Sequence, residues 1–515
     1  MERSPIPKNV GKALSRVHAI CEKNGGSHIL HTSEISREDR EILQHQAWIQ
    51  DIIPGWYLLL RPDVRPGDST AWYGSFWDFT ASYLNHHHKN EYCLSADQSL
   101  LFHTGSSAIP QQVIVMAKKG SGKPTKLPFD TSLLVYSDPN NLPVEKESIK
   151  DLQIMPLAYA LCKLSPTFFK KNPHEVQIAL QSISDPSDLI EVITEHGFTR
   201  ASSRIIGAYR KLGNKPMADQ LKEGLLNEGI LVKEQNPFDE ESTILVGQVF
   251  RSPYAARIRA MWEMYRNDVI ENFPQLPKNM PNSKDYLKNI DEIYVRDAYH
   301  SLSIEGYKVS KELVHRVQDE QWNPDKNSND MEARNALAAR GYYEAFIQVR
   351  ESIAKNMNEE NPGAVIKEDL SLWFRGLFGP SARAKIFPSR DLYGFRRHQV
   401  FIRGSRHTPP GKEHLIDAME ELYNCLLSEK NAAVRAVLGH FIFVFIHPYM
   451  DGNGRIARFL MNAMLASGGY PWALIRVENR NEYFASLEST SVKGNIIPFC
   501  TFIAKEMKST YTDRT

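Results

Sequence analysis

The stretch GHFIFVFIHPYMDGNGRIARFLMNAML, residues 439 to 465, constrains this chain more than any other. An apolar run reads as a helix ending at Ile446, a polar loop comes next, and RIARFLMNAML resumes as a second helix. Pro448 stops the first helix, and Tyr449 is placed to anchor the turn in the core. Gly452 and Gly454, on either side of Asn453, permit positive φ and close approach of the backbone.

The loop combines residue types that suit a polyphosphate. Unpaired N–H groups at the start of the second helix, with its positive dipole end, make an anion nest. Asp451 adds a hard oxygen ligand suited to magnesium that also takes phosphate oxygens. Arg455 and Arg458, three positions apart, share a helix face and can each fork onto a phosphate oxygen. His447 is the one group of the loop that titrates near neutrality, placed to take a proton from an attacking hydroxyl. An EF-hand is excluded, because Arg455 and Ile456 stand where an oxygen ligand and a glycine are required. A Rossmann turn is excluded by the spacing and by the helix that precedes the loop.

HPYMDGNGRIAR resembles the signature of Fic-domain proteins, His-Pro-Phe-x-(Asp/Glu)-Gly-Asn-Gly-Arg-x-x-Arg, with Tyr449 in place of Phe. The resemblance spans roughly residues 285 to 510. RRHQVFIRGSRHTPP (396 to 410) is similar to that family's flap, a β-hairpin that clamps a target segment; its residues are Ile402, Arg403, Gly404, Ser405, Arg406 and His407. GYPWALIRVENRNEYFASLEST resembles the segment that borders the nucleoside, with Tyr483 beside adenine and Ser491 where Asn is frequent. The resemblance implies AMP transfer from ATP to a hydroxyl side chain of a protein, with Mg2+. His447 would be the base, Asp451 the metal ligand, and Gly452, Asn453, Gly454 and Arg455 the phosphate cradle, with Arg458 on the γ-phosphate. Glycine at 454 favours adenylylation over γ-phosphate transfer, where relatives tend to have Lys.

HSLSIEGYKVS (300 to 310) resembles the family's inhibitory motif, matched by Ser301, Glu305 and Gly306. It implies a brake in which Glu305 pairs with Arg458 and occupies the arginine that orients the γ-phosphate. In some relatives the equivalent glutamate also serves hydrolytic removal of AMP, which the resemblance implies as a second activity. Tyr307 replaces a frequent Asn, which leaves the end of this helix open.

The rest of the chain is less constraining. Bases (62) and acids (61) balance, so no whole-chain field argues for nucleic acid or membrane. Five separated cysteines fit a reducing compartment, and neither a signal-peptide core nor an apolar span of about 18 residues is present, giving a cytoplasmic expectation. The fold class expected is mainly α: a helical Fic-type domain with a small β-hairpin flap, preceded by an α+β region containing a winged helix. Its parts are a winged-helix-like unit over 1–90, an α+β and helical region over 91–232, a linker with a connecting helix over 233–284, and the Fic-type domain over 285–515. Within 1–90 the order is helix, short extended piece, helix from Ser36, and β-turn-β ribbon, with Arg37 and Arg40 facing a phosphate backbone. KGSGKPTK is no phosphate loop, since Met116 and Pro124 break the pattern, and it reads as an exposed basic hairpin. His86 to His88 read as a solvated loop, not a metal site. Element order and loose patterns make residues 1–232 similar to AbiEi-type antitoxin regulators, implying DNA as a partner. The partners are then ATP, a protein target (the chain itself included), DNA and a second copy of the chain, with no membrane. The alternative is a DNA-binding regulator whose Fic domain senses or binds a nucleotide.

Overall fold

The computed structural model describes residues 7–60, 68–238, 250–275, 282–319, 333–357 and 360–512. It is 62% helix and 9% strand, which makes the chain mainly α as expected. The chain divides into two compact units, residues 1–249 with 401–408, and residues 250–400 with 409–515. The expected linker region, 233–284, lies partly outside the described residues.

The first unit opens with the helix Lys8–Lys23, whose buried stripe is Val10, Ala13, Leu14, Val17 and Cys21. The helix Arg37–His45 starts where Ser36 caps it, the Oγ accepting from the Asp39 N–H at 3.1 Å. The strands Ile49–Ile53 and Trp56–Leu59 form the expected ribbon around Gly55, whose φ is 85°. Ile29–His31 adds to it antiparallel, with Trp56–Leu59 in the centre. Thus the first five elements come in the order read from the sequence.

Two local expectations in this unit are corrected. His86, His87 and His88 form the last turn of the helix Thr70–His88, because that helix buries Trp72, Phe76, Phe79 and Leu84 and carries the histidines with it. His86 packs at a tilt against His31, ring centroids 4.4 Å apart. The KGSGKPTK segment is not the turn of a hairpin, because the strands on either side of it run parallel. Gln112–Ala117 pairs parallel with Thr131–Ser137, and Pro124–Leu127 pairs with that same strand on its other side, so the glycine-rich loop crosses over it. Val113, Val115 and Leu133 are buried, and placing them in the middle of the four-stranded sheet decides this order. Helices from Leu157 to Asn227 then pack on their own apolar cluster.

The second unit is a helical body. Its helix Pro253–Asn272, expected as a connector, buries Trp262, Tyr265 and Val269 in the same core as the C-terminal helices. Ala432–Ile446 is buried on nearly every side, and Asn453–Ser467 likewise; such helices are the centre of a bundle, not its surface. Ala333–Met357 and Pro362–Arg383 pack around them. Residues 396 to 410, expected to hold the flap hairpin, form no strand. A lone two-stranded ribbon is marginal without a sheet to join, and here the stretch is held by side chains, with one isolated antiparallel bridge between His407 and Ala108.

Candidate functional site

Asn431 starts the central helix by accepting from the Ala433 and Val434 N–H groups at 2.9 and 3.2 Å. The helix ends at His447, which adopts φ 52° and ψ 58°, a left-handed conformation uncommon outside glycine. Pro448 then prevents any continuation. Tyr449 anchors the turn as expected: it is buried, its ring stacked on Phe374 at 3.8 Å. The turn closes through Asn453, whose side chain accepts from Tyr449 N at 3.0 Å and donates to Tyr449 O at 2.8 Å. Asn453 therefore offers an anion its backbone N–H, since its amide is spent on the loop.

Gly452 (φ 82°) delivers the chain into the helix Asn453–Ser467. A Cβ there would stand 2.6 Å from Phe378 Cε2, and one on Gly454 would stand 2.5 Å from Glu305 Oε1. Close approach, not flexibility, is what these glycines supply. Arg455 and Arg458 do share the buried face beside the loop, at 1% and 3% exposed. Arg455 lies between the rings of Tyr307 and Phe378, 5.1 Å from each, with Nη2 3.2 Å from Asp451 Oδ1. Among the described residues, Arg455 Nε and Arg458 Nη1 have no hydrogen-bond partner. Two buried guanidiniums with unmet donors at a helix N-terminus have the chemistry of an anion site.

Burial pushes the His447 imidazole down to about 4, so it is neutral at pH 7 and able to accept a proton. Its Nδ1 lies 3.2 Å from Val444 O, which leaves Nε2 as the basic atom when Nδ1 carries the hydrogen. Asp451 is half exposed beside the nest. Among the described residues no three His, Cys, Asp or Glu cluster as a metal site. One carboxylate fits Mg2+ that takes its other ligands from phosphates and water.

Glu305 and Ser301, of the motif expected to act as a brake, both meet Arg458. Arg458 Nη2 meets Glu305 Oε1 at 2.7 Å, while Nε donates to Ser301 Oγ at 2.8 Å and Nη2 to Ser301 O at 3.1 Å. Burial works against the Arg458 charge, but Glu305, Tyr483 and Tyr342 outweigh it and hold the guanidinium above its ordinary value. The helix Ser283–Ile304 ends with Gly306 at φ 87°, Gly306 N–H on Ser303 O and Tyr307 N–H on Leu302 O. That paired closure lets Gly306 turn the chain with Glu305 facing the arginine. Asp297, buried, accepts from Tyr342 Oη at 2.6 Å and Trp472 Nε1 at 3.0 Å earlier on the same helix.

The residues expected to border the nucleoside are buried or bonded within their own helix. Tyr483 is 1% exposed, its hydroxyl 2.8 Å from His440 Nε2, and Ser491 Oγ donates to Leu487 O at 3.0 Å within its own helix. The flap residues group with the first unit. Arg403 pairs with Asp68 at 2.8 Å, Gly404 N–H donates to Thr70 Oγ1 at 3.0 Å, Arg406 donates to Ile109 O, and His407 Nδ1 lies 2.8 Å from Ser107 Oγ. Ser405 N–H closes a turn on Ile402 O at 3.1 Å. On the helix expected to face DNA, Arg37 is paired with Glu41 at 2.7 Å, and Arg40 donates to Thr32 Oγ1 at 2.8 Å.

One buried group near the loop was not legible in the sequence. Arg396 is 4% exposed, and its Nε donates to the His447 carbonyl at 2.8 Å. Nothing in the RRH run distinguishes it from its exposed neighbour Arg397.

Residues 383–465 match the Fic/DOC family model. A protein adenylyltransferase Fic of Drosophila yakuba is 32% identical over 217 residues, 41% of this chain and 40% of that protein. Another of Nematostella vectensis is 40% identical over 115 residues, 22% of this chain and 26% of that protein. The chain thus spans about 40% or less of the length of these curated relatives. Residues 134–508 of Fic-1 from C. elegans superpose with a TM-score of 0.37 and 19% identity, over 66% of this chain and 86% of that one.

Proposed function

We propose that the second unit transfers AMP from ATP to a hydroxyl side chain of a protein, and that Glu305 holds this activity in check. The observation that carries the reading is the convergence of two buried, under-satisfied arginines on a helix N-terminus that begins six residues after a neutral histidine. The relatives' description as protein adenylyltransferases supports AMP as the group transferred. The acceptor oxygen would attack the α-phosphorus as its proton passes to His447, and the bond to pyrophosphate breaks with the electron pair leaving on the departing oxygen. Arg455 and the N–H groups of Asn453 and Gly454 would hold the phosphates, and Arg458 the γ-phosphate. Asp451 would hold Mg2+, which when bound neutralises phosphate charge. With Glu305 on Arg458, ATP can enter but its γ-phosphate lacks its anchor, so the α-phosphorus is misaligned for attack. Removal of AMP would use the same glutamate.

The test is label transfer to protein from α-labelled and γ-labelled ATP in magnesium, comparing the parent chain with Glu305→Ala. Label from the α position alone, rising in the variant, is the expected result. No label from either position, with cell lysate supplied as acceptor, would leave the site a nucleotide-binding one.

For the first unit we propose DNA as the partner, a reading that rests on its element order and that the Arg37–Glu41 pair does not strengthen. A mobility shift of the full chain that weakens steeply with salt is expected. Absence of a shift at low salt would make the unit a scaffold for proteins.

A further inference from the structure

The catalytic loop is fastened from outside the motif. Arg396 donates from its backbone N–H to Pro448 O at 2.8 Å and from Nε to His447 O at 2.8 Å. Its Nη1 donates to His398 O at 2.9 Å, and its Nη2 donates to Pro410 O. One buried side chain therefore reaches three separate segments: the two stems flanking residues 401–408, and the loop that bears the histidine. Every acceptor is a backbone carbonyl, and among the described residues Arg396 makes no ion pair. Burial lowers its pKa to about 10, so it stays charged at neutral pH in a place where charge is costly. An apolar side chain would fill such a space with less penalty, and a lysine, whose three donors sit on one compact nitrogen, could not span carbonyls that Arg396 meets from three separate nitrogens. Gln399 adds a stem-to-stem bond, Nε2 to Pro409 O at 2.8 Å.

We propose that Arg396 is a positioning residue: its guanidinium locks the His447 carbonyl to both flap stems, so that the left-handed histidine and the stems hold one geometry. The proposal rests on the transferase reading for its kinetic consequence, but the coupling itself can be measured without activity. His447 needs such a hold because its backbone conformation is disfavoured and Pro448 withholds an N–H from the loop.

The experiment uses the full chain with Glu305→Ala, alone and combined with Arg396→Met, Arg396→Lys or Gln399→Ala. Hydrogen exchange is followed in peptides covering 396–400, 409–414 and 444–452. Both Arg396 variants are expected to speed exchange about tenfold or more in all three, leaving Ala333–Met357 unchanged; Gln399→Ala should affect only the stems. Transfer of α-label should fall roughly 10- to 100-fold in kcat, with the KM for ATP held within about twofold, because the phosphate cradle is untouched. If Arg396→Met does not fold, Arg396→Lys carries both readouts. Faster exchange confined to the stems, or a loss of kcat that Lys fully restores, would overturn the proposal. If Glu305→Ala alone transfers no label, the transferase reading fails, and the exchange data still decide the coupling.

Discussion

Replacing Glu305 by alanine removes one defined interaction, a 2.7 Å charge-assisted bond to a guanidinium whose side chain is 4% exposed, from a carboxylate that is 27% exposed. A bond of this kind contributes about 1.5–3 kcal/mol net, the glutamate's partial exposure favouring the lower half of that range. Arg458 keeps its two bonds to Ser301 in the variant, so the arginine stays in place while Nη2 is released from the carboxylate. If the pair is what competes with the γ-phosphate, productive ATP binding rises by the same free energy, roughly 10- to 150-fold at about 1.4 kcal/mol per decade. Glu305→Gln, which keeps a hydrogen bond and loses the charge, should fall between the two. The assay is the initial rate of α-label transfer at fixed ATP, with ATP affinity measured separately by a fluorescent analogue. A variant that binds ATP and folds like the parent, yet transfers within about twofold of it, would refute the competition.

Four further outcomes are expected. His447→Ala should reduce transfer about 10²- to 10⁴-fold with ATP binding retained, checked by label transfer alongside analogue binding. Because burial lowers the His447 pKa to about 4, the imidazole stays basic as pH falls below the ordinary 6.5, so the acid limb of kcat/KM should lie below pH 6 and fall toward 4. A limb at 6.5 or above would show a solvated imidazole. Gly452→Ala should cost about 2 kcal/mol or more in urea unfolding, since φ 82° strains any Cβ and Phe378 stands 2.6 Å from it. Arg403→Ala should lower thermal stability by no more than about 1 kcal/mol, because its guanidinium is largely exposed and Asp68 keeps its bonds from Thr70.

Much of this was legible in the sequence where a residue's role is local. Pro448 ends a helix wherever it stands, Gly306 turns one, and Ser36 and Asn431 cap the helices after them, so elements and motif could be read along the chain. Arg455 and Arg458 share a face because three residues make most of a helical turn. The path of the glycine-rich loop after Ala117 was not legible, because strand order is set by non-local pairing: two strands that look like a hairpin pair in parallel, and a further strand lies on the far side of the second. The helical state of His86 to His88 was not legible either, because a helix committed by its buried aromatics upstream extends through residues that look like a loop.

The chemistry of the nest was thus determined by sequence alone, since His447, Asp451, the glycines and the arginines all lie between residues 447 and 458 of one helix–loop–helix. What holds that nest in register was decided only by tertiary structure. Glu305 reaches Arg458 across 153 residues, and Arg396 reaches His447 across 51. Glu305 is marked in its neighbourhood by the Ser301–Gly306 motif, but nothing beside Arg396 marks it. An arginine becomes a clasp only when folding removes water from it and leaves carbonyls as its sole acceptors.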